Sequence, residues 1–128
     1  MAKDYKEWFN QSEYDYQTAK VMIDFGRYFY AVFMCHLSIE KSLKGLYLKE
    51  TGKLPPKIHK LNYFIEKLDL QPEKNLLKFI IGIDDASVAT RYPESLKKIS
   101  NQYKKRNTTI IYERTKEVLS WIKKELTK

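Results

Sequence analysis

Two long stretches of helical period meet at a link of only two residues, Gly26 and Arg27. In the first, from about Asp4 to Phe25, a single stripe at three- and four-residue steps carries Tyr5, Trp8, Phe9, Ser12, Tyr16, Ala19, Met22 and Ile23. The second runs from about Tyr28 to Glu50, with Phe29, Val32, Phe33, His36, Leu37, Glu40, Leu43, Lys44 and Tyr47 on a broad stripe. A connection that short forces an antiparallel hairpin, each arm roughly 33 Å long at 1.5 Å per residue. Asp4 and Glu7 stand at capping-box spacing, and Gly26 suits the C′ position, where it takes positive φ without steric cost. The chain has only 4 Gly and 4 Pro in 128 residues, too little punctuation for a sandwich that turns every 8–12 residues or so.

Further helical segments follow. Gly52 ends the second and Pro55-Pro56 stiffens the loop after it. A short third spans His59 to Leu68, with Leu61, Phe64, Ile65 and Leu68 inward. The fourth takes Pro72 in its first turn and reaches about Ala89 through Leu76, Leu77, Ile80, Ile81, Ile83, Asp84 and Val88. Pro93 disfavours helix at Tyr92. Residues 90–106 read as a loop, and loops that long are often functional. The last helix is capped by Asn107 or Thr108 and buries Ile111, Thr115, Val118, Ile122 and Leu126, flanked by Trp121. The expectation is all-α: one domain over 1–128, an up-and-down antiparallel bundle of four long helices plus one short crosspiece.

Composition narrows the setting. Apolar residues are 43% and charged residues 31%, a globular balance. No apolar run approaches the ~18–20 residues of a bilayer span, so no membrane association is expected. Met1 to Glu7 lacks the apolar core of a secretory leader, and the single cysteine, Cys35, excludes an internal disulfide framework. A cytoplasmic protein is the expectation. Net charge is +8, all of it from residues 53–128 with 17 basic and 9 acidic groups, since residues 1–52 balance at 7 and 7. The densest cluster is Lys97, Lys98, Lys104, Lys105 and Arg106, which fits either an RNA or nucleotide partner or a solvated surface. Residues 1–52 hold 11 of the 18 aromatics, and Tyr14, Phe25, Tyr28 and Tyr30 exceed one inward stripe. That surplus points to an interface, in the first place a homodimer.

Phosphate-cradling glycine motifs are absent, and so are HExxH and paired Glu-x-x-His patterns. His36 and His59 are the only histidines, so neither a metal nor another cofactor is expected. Glu40 and Lys44 are an i,i+4 pair worth a few tenths of a kcal/mol when exposed. Both fall on a core-facing stripe, where charge is costly unless satisfied. They either line a groove with Lys41 or form a polar latch. Gly45, in mid-helix, costs about 1 kcal/mol relative to Ala and makes sense if another backbone packs closely there. His59 suits capping of the third helix better than catalysis. Arg91, before Tyr92 and Pro93, binds a phosphate or carboxylate in bidentate fashion, or else ties its loop to Glu40 or to helix C-terminal carbonyls.

Taken in order, the segment Tyr30 to Leu46 with its Glu40-Lys41-x-x-Lys44, then Pro55-Pro56-Lys57-Ile58-His59-Lys60-Leu61, then Arg91-Tyr92-Pro93, resembles the HEPN domain family across nearly the whole chain. The resemblance implies a bundle of four long helices and a short one, usually dimeric, often paired with a minimal nucleotidyltransferase in a substrate-binding or toxin–antitoxin module. Many members are metal-independent ribonucleases with an Arg, four to six residues, then His. Here Leu96, Lys97 and Lys98 stand at those positions after Arg91, and Ile111, Tyr112 and Glu113 after Arg106. The expected role is therefore a nucleotide-binding interaction subunit built on Arg91, Lys44, Glu40, Lys41, Tyr92 and His59. The alternatives are a ribonuclease toxin using Arg91 with His59 or His36, and non-catalytic RNA binding through the basic cluster. Tyr92 or Tyr112 is the candidate acceptor if the partner adenylylates a tyrosine.

Overall fold

In the computed structural model residues 4–128 are described, and they form six helices and no strand. Met1–Lys3, part of the leader-free reading, lie outside the described residues. Helix α1 spans Tyr5–Asp24, α2 Tyr28–Thr51, α3 Leu61–Lys67, α4 Lys74–Arg91, α5 Leu96–Gln102 and α6 Lys105–Leu126.

The hairpin forms as its link requires. The Asp4 carboxylate accepts from the Glu7 N–H at 2.8 Å, starting α1, and Gly26 turns the chain at φ 76°. Gly52 closes α2 in the left-handed region at φ 69°. Helix α2 is the hub of the bundle: it packs against α1, α3, α4, α5 and α6. It buries Val32, Cys35, Ile39, Leu43 and Leu46 almost completely. Gly45 sits where α1 crosses: a Cβ there would come within 2.9 Å of the Phe9 ring and 3.1 Å of Trp8 Cβ. The close approach expected at that mid-helix glycine is made by α1, through the Phe9 and Trp8 side chains and not by a backbone. On the other flank Tyr16 of α1 stacks on Tyr112 of α6 at 4.3 Å and 5°.

Three sequence expectations are corrected. Residues 90–106 are not a loop. Helix α4 runs on through Arg91, and Ser95 caps α5 by accepting from the Lys98 N–H at 3.3 Å, with Ile99 and Tyr103 turned into the core. There are accordingly two short helices rather than one. Pro72 precedes α4 instead of entering its first turn: Glu73 is the N-cap, and its carboxylate accepts from Asn75 and Leu76 N–H groups. Helix α6 begins at Lys105. Asn107 lies inside its first turn, accepting from the Lys104 N–H at 2.7 Å and donating to the Gln102 carbonyl at 2.8 Å.

Candidate functional site

The site grows from one stripe of α2. Phe33, His36, Glu40 and Lys44 follow one another at steps of three and four, so they share a face. That face meets α4 running the opposite way, along with the segment leading into α3. Asp84 and Arg91 of α4 are seven residues apart, two turns on one side. Arg91 thus falls opposite Phe33, and Asp84 opposite His36.

Four buried charged or polar groups, Lys44, Glu40, His36 and Asp84, line this seam in two hydrogen-bonded sets. Lys44 Nζ donates to Glu40 Oε2 at 2.9 Å, and His59 Nδ1 meets the same oxygen at 3.0 Å. Glu40 Oε1 faces His36 Nδ1 across 4.0 Å, too far for a direct hydrogen bond, and neither atom has a hydrogen-bond partner among the described residues. His36 Nε2 lies 2.9 Å from Asp84 Oδ1. A carboxylate only accepts, so His36 carries a proton on Nε2 and His59 on Nδ1.

Asp84 also holds the start of α3. The Leu61 N–H donates to Oδ1 at 2.9 Å and the Asn62 N–H to Oδ2 at 3.2 Å. Burial alone pushes the Asp84 carboxyl up, but bonds from His36, Leu61 and Asn62 outweigh it and hold the group below the ordinary carboxylate range. His59 therefore does not cap α3. Its Nδ1–H is taken by Glu40, and orphan N–H groups need an acceptor, which a buried carboxylate from another helix supplies. Asp84 did not stand out in the sequence as a site residue, and His36 entered only as an alternative histidine for the ribonuclease reading. The signal was there only in part: an aspartate on an otherwise apolar helix face.

His59 and Arg91 meet at a recess of about 270 Å³, lined also by Lys60, Ser87, Val88 and Tyr92. The His59 side chain is 58% exposed although its Nδ1 is anchored inside. The Arg91 guanidinium lies over the Phe33 ring, 4.9 Å from its centre. It makes no ion pair with Glu40 and caps no helix carbonyl, contrary to the structural roles open to it from sequence. Its five N–H donors take no hydrogen-bond partner among the described residues.

Other sequence candidates are placed elsewhere. Lys41 points to α1, where it pairs with Asp15 at 2.8 Å. Lys44 is buried, its Nζ about 5.8 Å from the Trp8 ring centre and 5.9 Å from that of Phe64. Glu40 and Lys44 thus form the polar latch, and only His59 links it to the recess. Tyr92 is 76% exposed at the recess edge, whereas Tyr112 is held in its stack with Tyr16. Lys97, Lys98, Lys104, Lys105 and Arg106 are all exposed, on α5 and at the start of α6. Cys35 is wholly buried, and burial pushes its thiol up to about 12 despite a bond to Thr115. Of the surplus aromatics, Tyr14 and Phe25 are open at 71% and 79%, Tyr30 is exposed, and Tyr28 packs partly on the core. Among the described residues no three of His, Cys, Asp and Glu are grouped to hold a metal ion, and no helix is long and apolar enough to cross a membrane.

The HEPN domain family model matches residues 5–126, which takes in the Glu40, His59 and Arg91 segments. The chain belongs to that family. Two solved structures share its fold. TT1696 from Thermus thermophilus superposes with a TM-score of 0.82 at 19% identity, covering 94% of this chain and 96% of its own. ST0689, an archaeal HEPN homologue, gives 0.78 at 23% identity, covering 98% and 99%. No curated protein matches the chain in sequence.

Proposed function

We propose that this HEPN protein is a nucleotide-binding interaction subunit, acting as one unit over residues 1–128 and as a homodimer beside a minimal nucleotidyltransferase. One observation carries the reading: Arg91, with its donor fork unengaged, and His59, with its Nδ1 anchored, line a single recess. The fork suits a phosphate, and the Val88 and Tyr92 side chains offer an apolar wall for a base. The size fits one nucleotide rather than a length of RNA. Tyr92, open at the same recess, is the side chain a nucleotidyltransferase would reach for adenylylation. Titration calorimetry with adenosine monophosphate tests the site: the wild-type chain should bind, and Arg91→Ala should lose binding by tenfold or more. Co-purification from a strain carrying the adjacent genes tests the partner. A monomer that ignores every nucleotide would sink the proposal.

A second reading, a ribonuclease toxin, is supported by the Glu40–His59 bond. That bond holds Nδ1 and leaves Nε2 as the ring atom able to exchange a proton, with Arg91 for the phosphate charge. Arg91→Ala and His59→Ala should each abolish RNA cleavage, and unchanged cleavage in both removes this reading.

A further inference from the structure

We infer that Asp84 is a positioning residue for the recess, setting where His59 stands relative to Arg91; the inference rests on the functional reading of that recess. Two routes run from Asp84 to His59. The first is backbone. Asp84 takes the Leu61 and Asn62 N–H groups, pinning the chain two residues beyond His59 to α4. The second runs through side chains. Asp84 accepts from His36 Nε2–H and Glu40 Oε2 from His59 Nδ1–H, while between them His36 Nδ1 and Glu40 Oε1 stand 4.0 Å apart without a hydrogen bond, so this route is the weaker one.

Arg91 lies on the same helix as Asp84 and on the same side, two turns on. A single rigid rod therefore carries both the recess cation and the clamp on the opposite wall. Helix α3 has only seven residues and no side-chain cap of its own. Without Asp84 its first turn loses its hydrogen-bonded tie to α4 and keeps only the non-directional apolar burial of Leu61, Phe64 and Ile65. The Asp84 carboxylate lies inside the fold and outside the recess lining, so it acts on a ligand only through His59.

Nitrogen NMR of the His59 ring, read in the free protein, tests the claim alongside adenosine monophosphate affinity. The wild-type ring should show one tautomer, protonated at Nδ1. In Asp84→Asn, or in Asp84→Glu should the amide fail to fold, that single signal should give way to a mixture. Affinity should fall on the order of 10- to 100-fold, as for other small displacements of a binding group. Arg91→Ala should lose affinity and keep the wild-type ring signal. A folded Asp84 variant that keeps either the ring signal or the wild-type affinity overturns the inference. So does loss of folding in both variants, since Asp84 would then have no separable positioning role. If the wild-type chain binds no nucleotide, the functional reading falls, and the ring signal alone decides the inference.

Discussion

The two sides of α2 are held by different physics. Helix α2 gives Val32, Cys35, Ile39, Leu43 and Leu46 to an apolar core shared with Ala19, Val118, Leu119 and Ile122, and with Phe64, Ile80 and Ile83 of α3 and α4, an apolar seam with the Tyr16–Tyr112 stack at its edge. Toward α3 and α4 it presents His36, Glu40 and Lys44 to Asp84 and His59. Apolar burial is strong but non-directional, and it tolerates small shifts. Hydrogen-bonded charges lose heavily when displaced, so the second seam defines the height of α4 against α2. The recess lies on the side where position is defined most tightly.

Breaking the polar seam should cost most. Glu40→Ala strands a buried Lys44 and releases His59, an expected loss of about 3–5 kcal/mol by urea unfolding, with the recess altered as well. Ile122→Ala opens a cavity in the apolar seam. It should cost about 2–5 kcal/mol yet leave nucleotide affinity near wild type, which separates the two seams. Gly45→Ala pushes a methyl to within 2.9 Å of Phe9. Overpacking of about 1–3 kcal/mol against a helix-propensity gain of about 1 leaves a net loss of about 1 kcal/mol, readable as a fall in Tm.

The polar seam should also be the acid-sensitive one. The Asp84 carboxyl lies below its unfolded value of 3.8, so its contribution is complete above that value and disappears as pH falls through the lower folded one. Acid unfolding below about pH 4 should therefore be milder in Asp84→Asn than in the wild type, measured as the slope of stability against pH. The smallest effect on stability belongs to the exposed cluster. Neutralising Lys104, Lys105 and Arg106 should change it by no more than about 0.5 kcal/mol. If RNA is a ligand, each lost phosphate contact should lower the salt slope of binding by about 1.

Much of the fold was legible in residue order. A two-residue link and helical stripes sufficed for the hairpin, and Gly45 marked a close approach without saying that side chains of α1 make it. Helix α5 was missed because it is short and lysine-rich; its Ser95 cap and two inward side chains, Ile99 and Tyr103, are a weak signal over seven residues. Of the site, His59 and Arg91 were legible as residues and were paired in one of the readings, but the sequence did not separate His59 from His36 as the partner. Lys41 shares its sequence motif with Glu40 and Lys44, yet one position of rotation, about 100° on a helix, carries it to the opposite seam with Asp15.

Periodicity, turn residues and local caps act over a few residues of chain, so the sequence alone determined the long helices, their hairpin and the polar character of one α2 face. Which atom satisfies which charge was decided only in the tertiary structure. Asp84 and Leu61 are 23 residues apart, and Glu40 and His59 are 19 apart. A carboxylate on an apolar helix must find donors, but no local rule says whose. The choice fell to the packing of α4 against α2, which brings one particular set of N–H groups within 3 Å or so and leaves Arg91 with its donors unengaged.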